Sequence, residues 1–112
     1  MKIFLLIAAI YVLSISTVLS RFSAEDSNGQ KVFKENCASC HTGGFKGWIT
    51  GAPEIGYPDE WEPYFEKDFE VLVKNVNEGT EGHEVKGGCD TCPEESIKSA
   101  VKYILSETKN KK

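Results

Sequence analysis

Behind Met1 and Lys2 the chain runs almost without a polar interruption from Ile3 to Leu19, and Val18-Leu19-Ser20 places small and medium side chains where a signal peptidase reads. This pattern predicts export, with residues 1–20 as a signal peptide and 21–27 as a flexible link. The apolar run is slightly long for a cleaved signal and slightly short for a membrane span, so an uncleaved N-terminal anchor is the alternative; Ser14, Ser16 and Thr17 count against it. Beyond the leader the hydrophobic spacing is helical. Ser27-Asn28-Gly29-Gln30 has the form of a helix start, ahead of Val32 and Phe33, and predicts a helix from about Asn28 to Asn36. Asp68 caps a second helix whose Phe69, Leu72, Val73 and Val76 fall at i, i+3, i+4 and i+7, ending near Gly79. Pro93 suits the first position of a last helix, Glu94 and Glu95 suit its positive end, and Ile97, Ala100, Val101, Ile104 and Leu105 form one stripe.

Between these helices the pattern fades. Thr42–Asp59 holds Gly43, Gly44, Gly47, Gly51 and Gly56 with Pro53 and Pro58, which predicts a long loop, and Asn77–Gly88 is again polar and glycine-rich. No run alternates as a strand does, and Lys109–Lys112 reads as a charged tail. Short helices joined by structureless loops of a dozen residues make a poor free-standing bundle. Something other than side chains must fill the middle of residues 28–108, which form the single domain that a chain of 112 residues can hold.

Charge narrows the partners. Thirteen basic against 17 acidic residues give −4, and losing Lys2 with the leader makes it −5, so no basic surface exists to meet the phosphates of nucleic acid.

The chemistry lies in the cysteines. Cys37-Ala38-Ser39-Cys40-His41 is C-x-x-C-H, the attachment sequence of c-type haem. Each thiol can add across one vinyl group of a single porphyrin, and the histidine that follows is then held beneath the iron as its ligand. Competing readings are a zinc site shared with Cys89 and Cys92, a thioredoxin-like pair, and a plain disulfide. The 48 residues between the two pairs exceed the spacing of zinc ribbons, and no strands frame the motif as thioredoxin chemistry requires.

With these residues in place, the chain resembles the class I monohaem c-type cytochromes, most closely the small bacterial cytochromes of the c-five type. The resemblance spans about Asn28–Ser106. It rests on Cys37–His41, on Gly51-Ala52-Pro53 with Gly56 and Trp61, on Lys86-Gly87-Gly88-Cys89-Asp90-Thr91-Cys92, and on Ala100-Val101-Lys102-Tyr103. It implies an all-α fold of three to four short helices and long loops wrapped around one covalent haem. The first helix would cross the last near Gly29 and Phe33, against Ala100 and Tyr103. The Pro53 carbonyl would accept the other N–H of His41, fixing the ring, and the Trp61 indole would lie near a haem propionate or simply fill the core. Lys46–Thr50 looks like an insertion; its Trp48 is a haem-wall residue or part of a docking surface. Cys89 and Cys92, with no histidine after them, would form a disulfide that pins the loop before the last helix.

The family's second iron ligand is a methionine, yet the sole methionine here is Met1. Alignment through Lys86-Gly87-Gly88-Cys89 places His83 at that position. The readings left open are a five-coordinate iron and ligation by Lys86. With both axial positions held by protein, the expected role is one-electron transfer without catalysis, at a potential below that of Met/His relatives. An enzyme, or a gas or peroxide sensor with a displaceable sixth ligand, is the rival, and a haem-free zinc or dithiol module is a third reading. Partners would be redox proteins that bind transiently through a basic face, in the periplasm, with membrane contact only through an uncleaved leader.

Overall fold

The computed structural model describes residues 27–111, together with Ile3 and Ile7. Apart from Ile3 and Ile7, the predicted signal peptide lies outside the described residues, as does most of the link. Among the described residues no strand forms, and the architecture is helical.

Residues 27–32 form α1, which runs directly into a π turn, Phe33–Cys37, and then α2, Ala38–His41. The predicted first helix therefore continues as far as His41 instead of ending near Asn36. The π register is visible where the Ala38 N–H reaches back to the Phe33 carbonyl, while the Asn36 side chain donates to the Val32 carbonyl at 3.2 Å. Such turns insert one extra residue and rotate everything beyond them. Val32 and Phe33 are thus buried in two different clusters just before the cysteine motif.

The predicted long loop is largely helical, which corrects the sequence reading. Gly44–Thr50 is α3, and Pro58–Phe65 is α4, started by Pro58 at the first turn with Asp59 and Glu60 at its positive end. The α3 helix has helical spacing, with Phe45, Trp48 and Ile49 at i, i+3 and i+4, but Gly43, Gly44, Gly47 and Gly51 masked it, and the stripe faces outward, 75%, 78% and 60% exposed. It packs through Gly47, where a Cβ would stand 2.8 Å from the Cys40 carbonyl oxygen.

Helix α5 is Phe69–Glu78, capped by Asp68, whose carboxylate accepts the Glu70 N–H. A short 3₁₀ turn, Val85–Gly88, leads toward α6, Glu94–Lys109, with Pro93 at the N-cap. Two clusters make the core. Val32, Val73, Ile97, Ala100 and Val101 join α1, α5 and α6, while Phe33, Trp61 and Ile104 join the π turn, α4 and α6; Leu105 packs against both. The first and last helices cross where a Cβ on Gly29 would strike the Ser99 carbonyl, and the rings of Phe33 and Tyr103 lie 5.5 Å apart. At the far end of α6, buried Thr108 accepts the Gly56 N–H at 3.1 Å and donates to the Ile104 carbonyl, tying the loop between α3 and α4 to this frame.

Candidate functional site

Cys37 ends the π turn and Cys40 lies one turn further on α2, so both thiols rise from the same side of the helix, with His41 directly after. Both thiols are free and half-buried. Burial, with the neighbouring Cys40, pushes the Cys37 thiol up to about 11. A redox dithiol needs the opposite, a thiol lowered toward neutrality by positive surroundings. Cys89 and Cys92 are joined to each other, with Cα atoms 5.4 Å apart, and so are not placed to complete a zinc site with the first pair.

One short stretch fixes His41 from two directions. The Pro53 carbonyl lies 2.8 Å from Nδ1, and the Ile55 N–H donates to the His41 carbonyl at 2.7 Å. A carbonyl only accepts, so Nδ1 carries the proton and Nε2 keeps its lone pair. Burial, partly opposed by the Pro53 bond, lowers the pKa of His41, with the nearby His83 acting in the same direction. The ring is therefore held neutral, which is the form that binds a metal.

Trp61 is buried beside it, its ring 5.6 Å from that of His41. Its indole N–H donates to the Glu54 carbonyl at 2.8 Å. Trp61 thus serves as core and as a wall against His41, and its one N–H is directed to the chain between Pro53 and Ile55.

His83 comes from the segment between α5 and the 3₁₀ turn, held by paired backbone bonds with Thr80 of 2.9 and 3.1 Å. Its Nδ1 lies 2.8 Å from the Glu84 carbonyl, so this ring too carries a proton on Nδ1. The two imidazoles lie with centroids 6.2 Å apart and planes inclined by 28°. A metal bound to two imidazole nitrogens at about 2.0–2.1 Å, with about 1.1 Å from each nitrogen to its ring centre, sets the centroids roughly 6.2–6.4 Å apart. The residues present therefore fit a metal group held between these histidines and linked to the adjacent thiols.

The structure thus gathers Cys37, Cys40, His41, Pro53, Trp61 and His83 into one region, with Cys89 and Cys92 just beyond the segment that carries His83. Sequence reasoning missed Glu54 and Ile55, which position Trp61 and His41, and Gly47, which seats α3 on Cys40. It also missed Asn36 and the geometry of Lys86. Gly47 had a legible signal, a glycine amid apolar residues; Glu54 and Ile55 act through their own backbone groups, and Asn36 and Lys86 reach the backbone carbonyls of Val32 and Cys92, which side-chain identity does not report. Trp48 stands at the surface, its ring 6.2 Å from that of Phe45.

Comparison with known proteins gives the family. The family described as "Cytochrome C oxidase, cbb3-type, subunit III" matches residues 24–104. Cytochrome c-555 of Prosthecochloris aestuarii is 29% identical over 89 residues, covering 72% of this chain and 86% of its own. Two proteins named cytochrome c6 are similar as well. That of Gloeothece citriformis is 31% identical, covering 90% of this chain and 88% of its own, and that of a Synechococcus species is 29% identical, covering 96% and 95%. Among solved structures, a chain from an electron transfer complex of nitrite reductase with cytochrome c superposes with a TM-score of 0.63 at 25% identity, covering 72% of this chain and 94% of that one. The chain belongs to this cytochrome c family, with the class I monohaem fold. It carries one covalently bound haem c, and haem c electron transfer is the chemistry of the group.

Proposed function

We propose that this protein is an exported one-electron carrier whose haem is attached through Cys37 and Cys40 and whose iron is held by His41 and His83. The observation that carries the reading is the 6.2 Å separation of two imidazoles, each with Nδ1 directed to a backbone carbonyl. Bound there, the haem supplies a reversible ferric/ferrous couple. The chain's own groups do the rest. The Pro53 and Glu84 carbonyls fix both rings and raise their basicity, and Trp61 and Phe33 bring apolar surface to the attachment helix. With both axial positions protein-held, no open position remains for a substrate, which supports a carrier over an enzyme. Imidazole in place of a thioether favours the ferric state, so the potential lies below that of Met/His cytochromes.

The apolar leader supports export, and among the described residues no helix is long and apolar enough to cross a membrane. A carrier that delivers electrons repeatedly must release its partner quickly, which fits the small interfaces of redox encounters. The net charge of −4 favours a partner with a basic face.

Two measurements on protein exported from a host with haem-attachment machinery test this reading. Intact mass after acid extraction should show one haem retained per chain, and the Cys37→Ser, Cys40→Ser double variant should retain none. His83→Met should raise the potential where the loop still reaches the iron. Haem that leaves with the solvent refutes the attachment. A potential unmoved by either His83→Met or His83→Ala refutes the ligation.

A further inference from the structure

Lys86 lies three residues after His83 and is the sole non-glycine residue with positive φ among the described residues (φ 51°, ψ 27°). Side chains avoid this left-handed region unless the surroundings hold them there. Here the holding contacts are explicit. The Lys86 ammonium donates to the Cys92 carbonyl at 2.9 Å, and the Lys86 carbonyl accepts the Cys89 N–H at 3.1 Å. The side chain thus straps the turn Val85–Gly88 across to the segment that starts α6.

The far end of the strap is itself anchored. Cys92 is bonded to Cys89 and receives the Asn36 amide at its sulfur, 3.9 Å away, from the π turn that ends in Cys37. Gly87 sits against the same residue, since a Cβ there would stand 3.2 Å from the Asn36 carbonyl oxygen. The near end controls the histidine. The Glu84 carbonyl accepts the Gly87 N–H at 3.1 Å and lies 2.8 Å from His83 Nδ1, so one oxygen both closes the turn and orients the imidazole.

We propose that Lys86 is a positioning residue for His83. Its ammonium, bound to the Cys92 carbonyl, keeps residues 85–88 in the left-handed turn that holds the Glu84 carbonyl against Nδ1 and so keeps Nε2 directed at the iron. This rests on the reading of His83 as a ligand. Without the strap the turn relaxes toward ordinary backbone, the Glu84 carbonyl swings away, and His83 leaves the iron more often.

The test is the rate at which carbon monoxide binds the ferrous holoprotein, a rate limited by departure of the sixth ligand. Lys86→Met keeps the aliphatic stem and removes the donor; it should speed binding by about tenfold or more, in line with losses seen when a ligand's supporting partner is removed. Lys86→Arg retains a donor and should stay within about threefold of the wild type. Lys86→Gly also lacks the ammonium but removes the backbone strain that drives the turn to relax, and should fall between the wild type and Lys86→Met. His83→Ala, measured alongside, sets the rate with no histidine present. If His83→Ala is fast while Lys86→Met matches the wild type, or if Lys86→Gly binds faster than Lys86→Met, the role assigned to Lys86 is wrong and ligation stands. If His83→Ala binds no faster than the wild type, the ligand reading itself falls, and the role of Lys86 with it.

Discussion

Gly29 lies so close to the Ser99 carbonyl oxygen that a single added carbon would overlap it, and that carbon would stand 3.3 Å from Tyr103 Cβ. The crossing of α1 with α6 sets where the π turn, and hence the cysteine motif, leaves the core. Gly29→Ala should therefore destabilise by about 1–3 kcal/mol, as overpacking does, even though alanine is otherwise the better helix former by about 1 kcal/mol. Denaturant unfolding of the holoprotein checks this. Unchanged or increased stability would mean that the helices do not approach this closely.

The Cys89–Cys92 disulfide closes a loop with a separation of only three residues, so its effect on the unfolded chain is small. Replacing both cysteines by serine should cost at most about 2 kcal/mol of global stability. The local effect should be larger, because the bond anchors the carbonyl that Lys86 holds. Amide exchange should quicken at residues 83–92 while α6 beyond Ile97 stays protected. Uniformly faster exchange along the chain would place the disulfide's role in global folding instead.

Trp48, Phe45 and Ile49 project from α3, which rests on the Cys40 carbonyl through Gly47. Three large apolar side chains beside the attachment helix suit contact with a redox partner. Trp48→Ala should change stability by less than about 0.5 kcal/mol, as exposed substitutions do, and leave the potential unchanged while slowing transfer to the physiological partner. Stopped-flow transfer rates over a range of salt separate this apolar contribution from the charge-dependent one, which should weaken as ionic strength rises. An unchanged transfer rate for Trp48→Ala would remove α3 from the contact surface.

What could be read from the chain divides along physical lines. Helices α5 and α6 were legible because each buries one periodic stripe and carries its own start signal, Asp68 and Pro93. The α3 helix carried helical spacing in Phe45, Trp48 and Ile49, but Gly43, Gly44, Gly47 and Gly51 around and within it read as loop. The α4 helix had its signals, Pro58 at the start and Trp61, Tyr64 and Phe65 at i, i+3 and i+4, but glycines before it and Pro63 within it masked them. The C-x-x-C-H motif is local chemistry and so is complete in the sequence. His83 needed the register of Lys86-Gly87-Gly88-Cys89. The strap from Lys86 to Cys92 and the placing of Trp61 by Glu54 depend on backbone carbonyls, which every residue carries and no pattern marks.

The most direct test of the pairing of His41 with His83 is the low-temperature electron paramagnetic resonance spectrum of the ferric holoprotein, compared with that of His83→Ala. His41 and His83 together on one iron predict a wholly low-spin wild type. His83→Ala should convert it to a high-spin centre. A wild-type spectrum that is already high-spin, or a His83→Ala spectrum that stays low-spin and unshifted, would contradict the account.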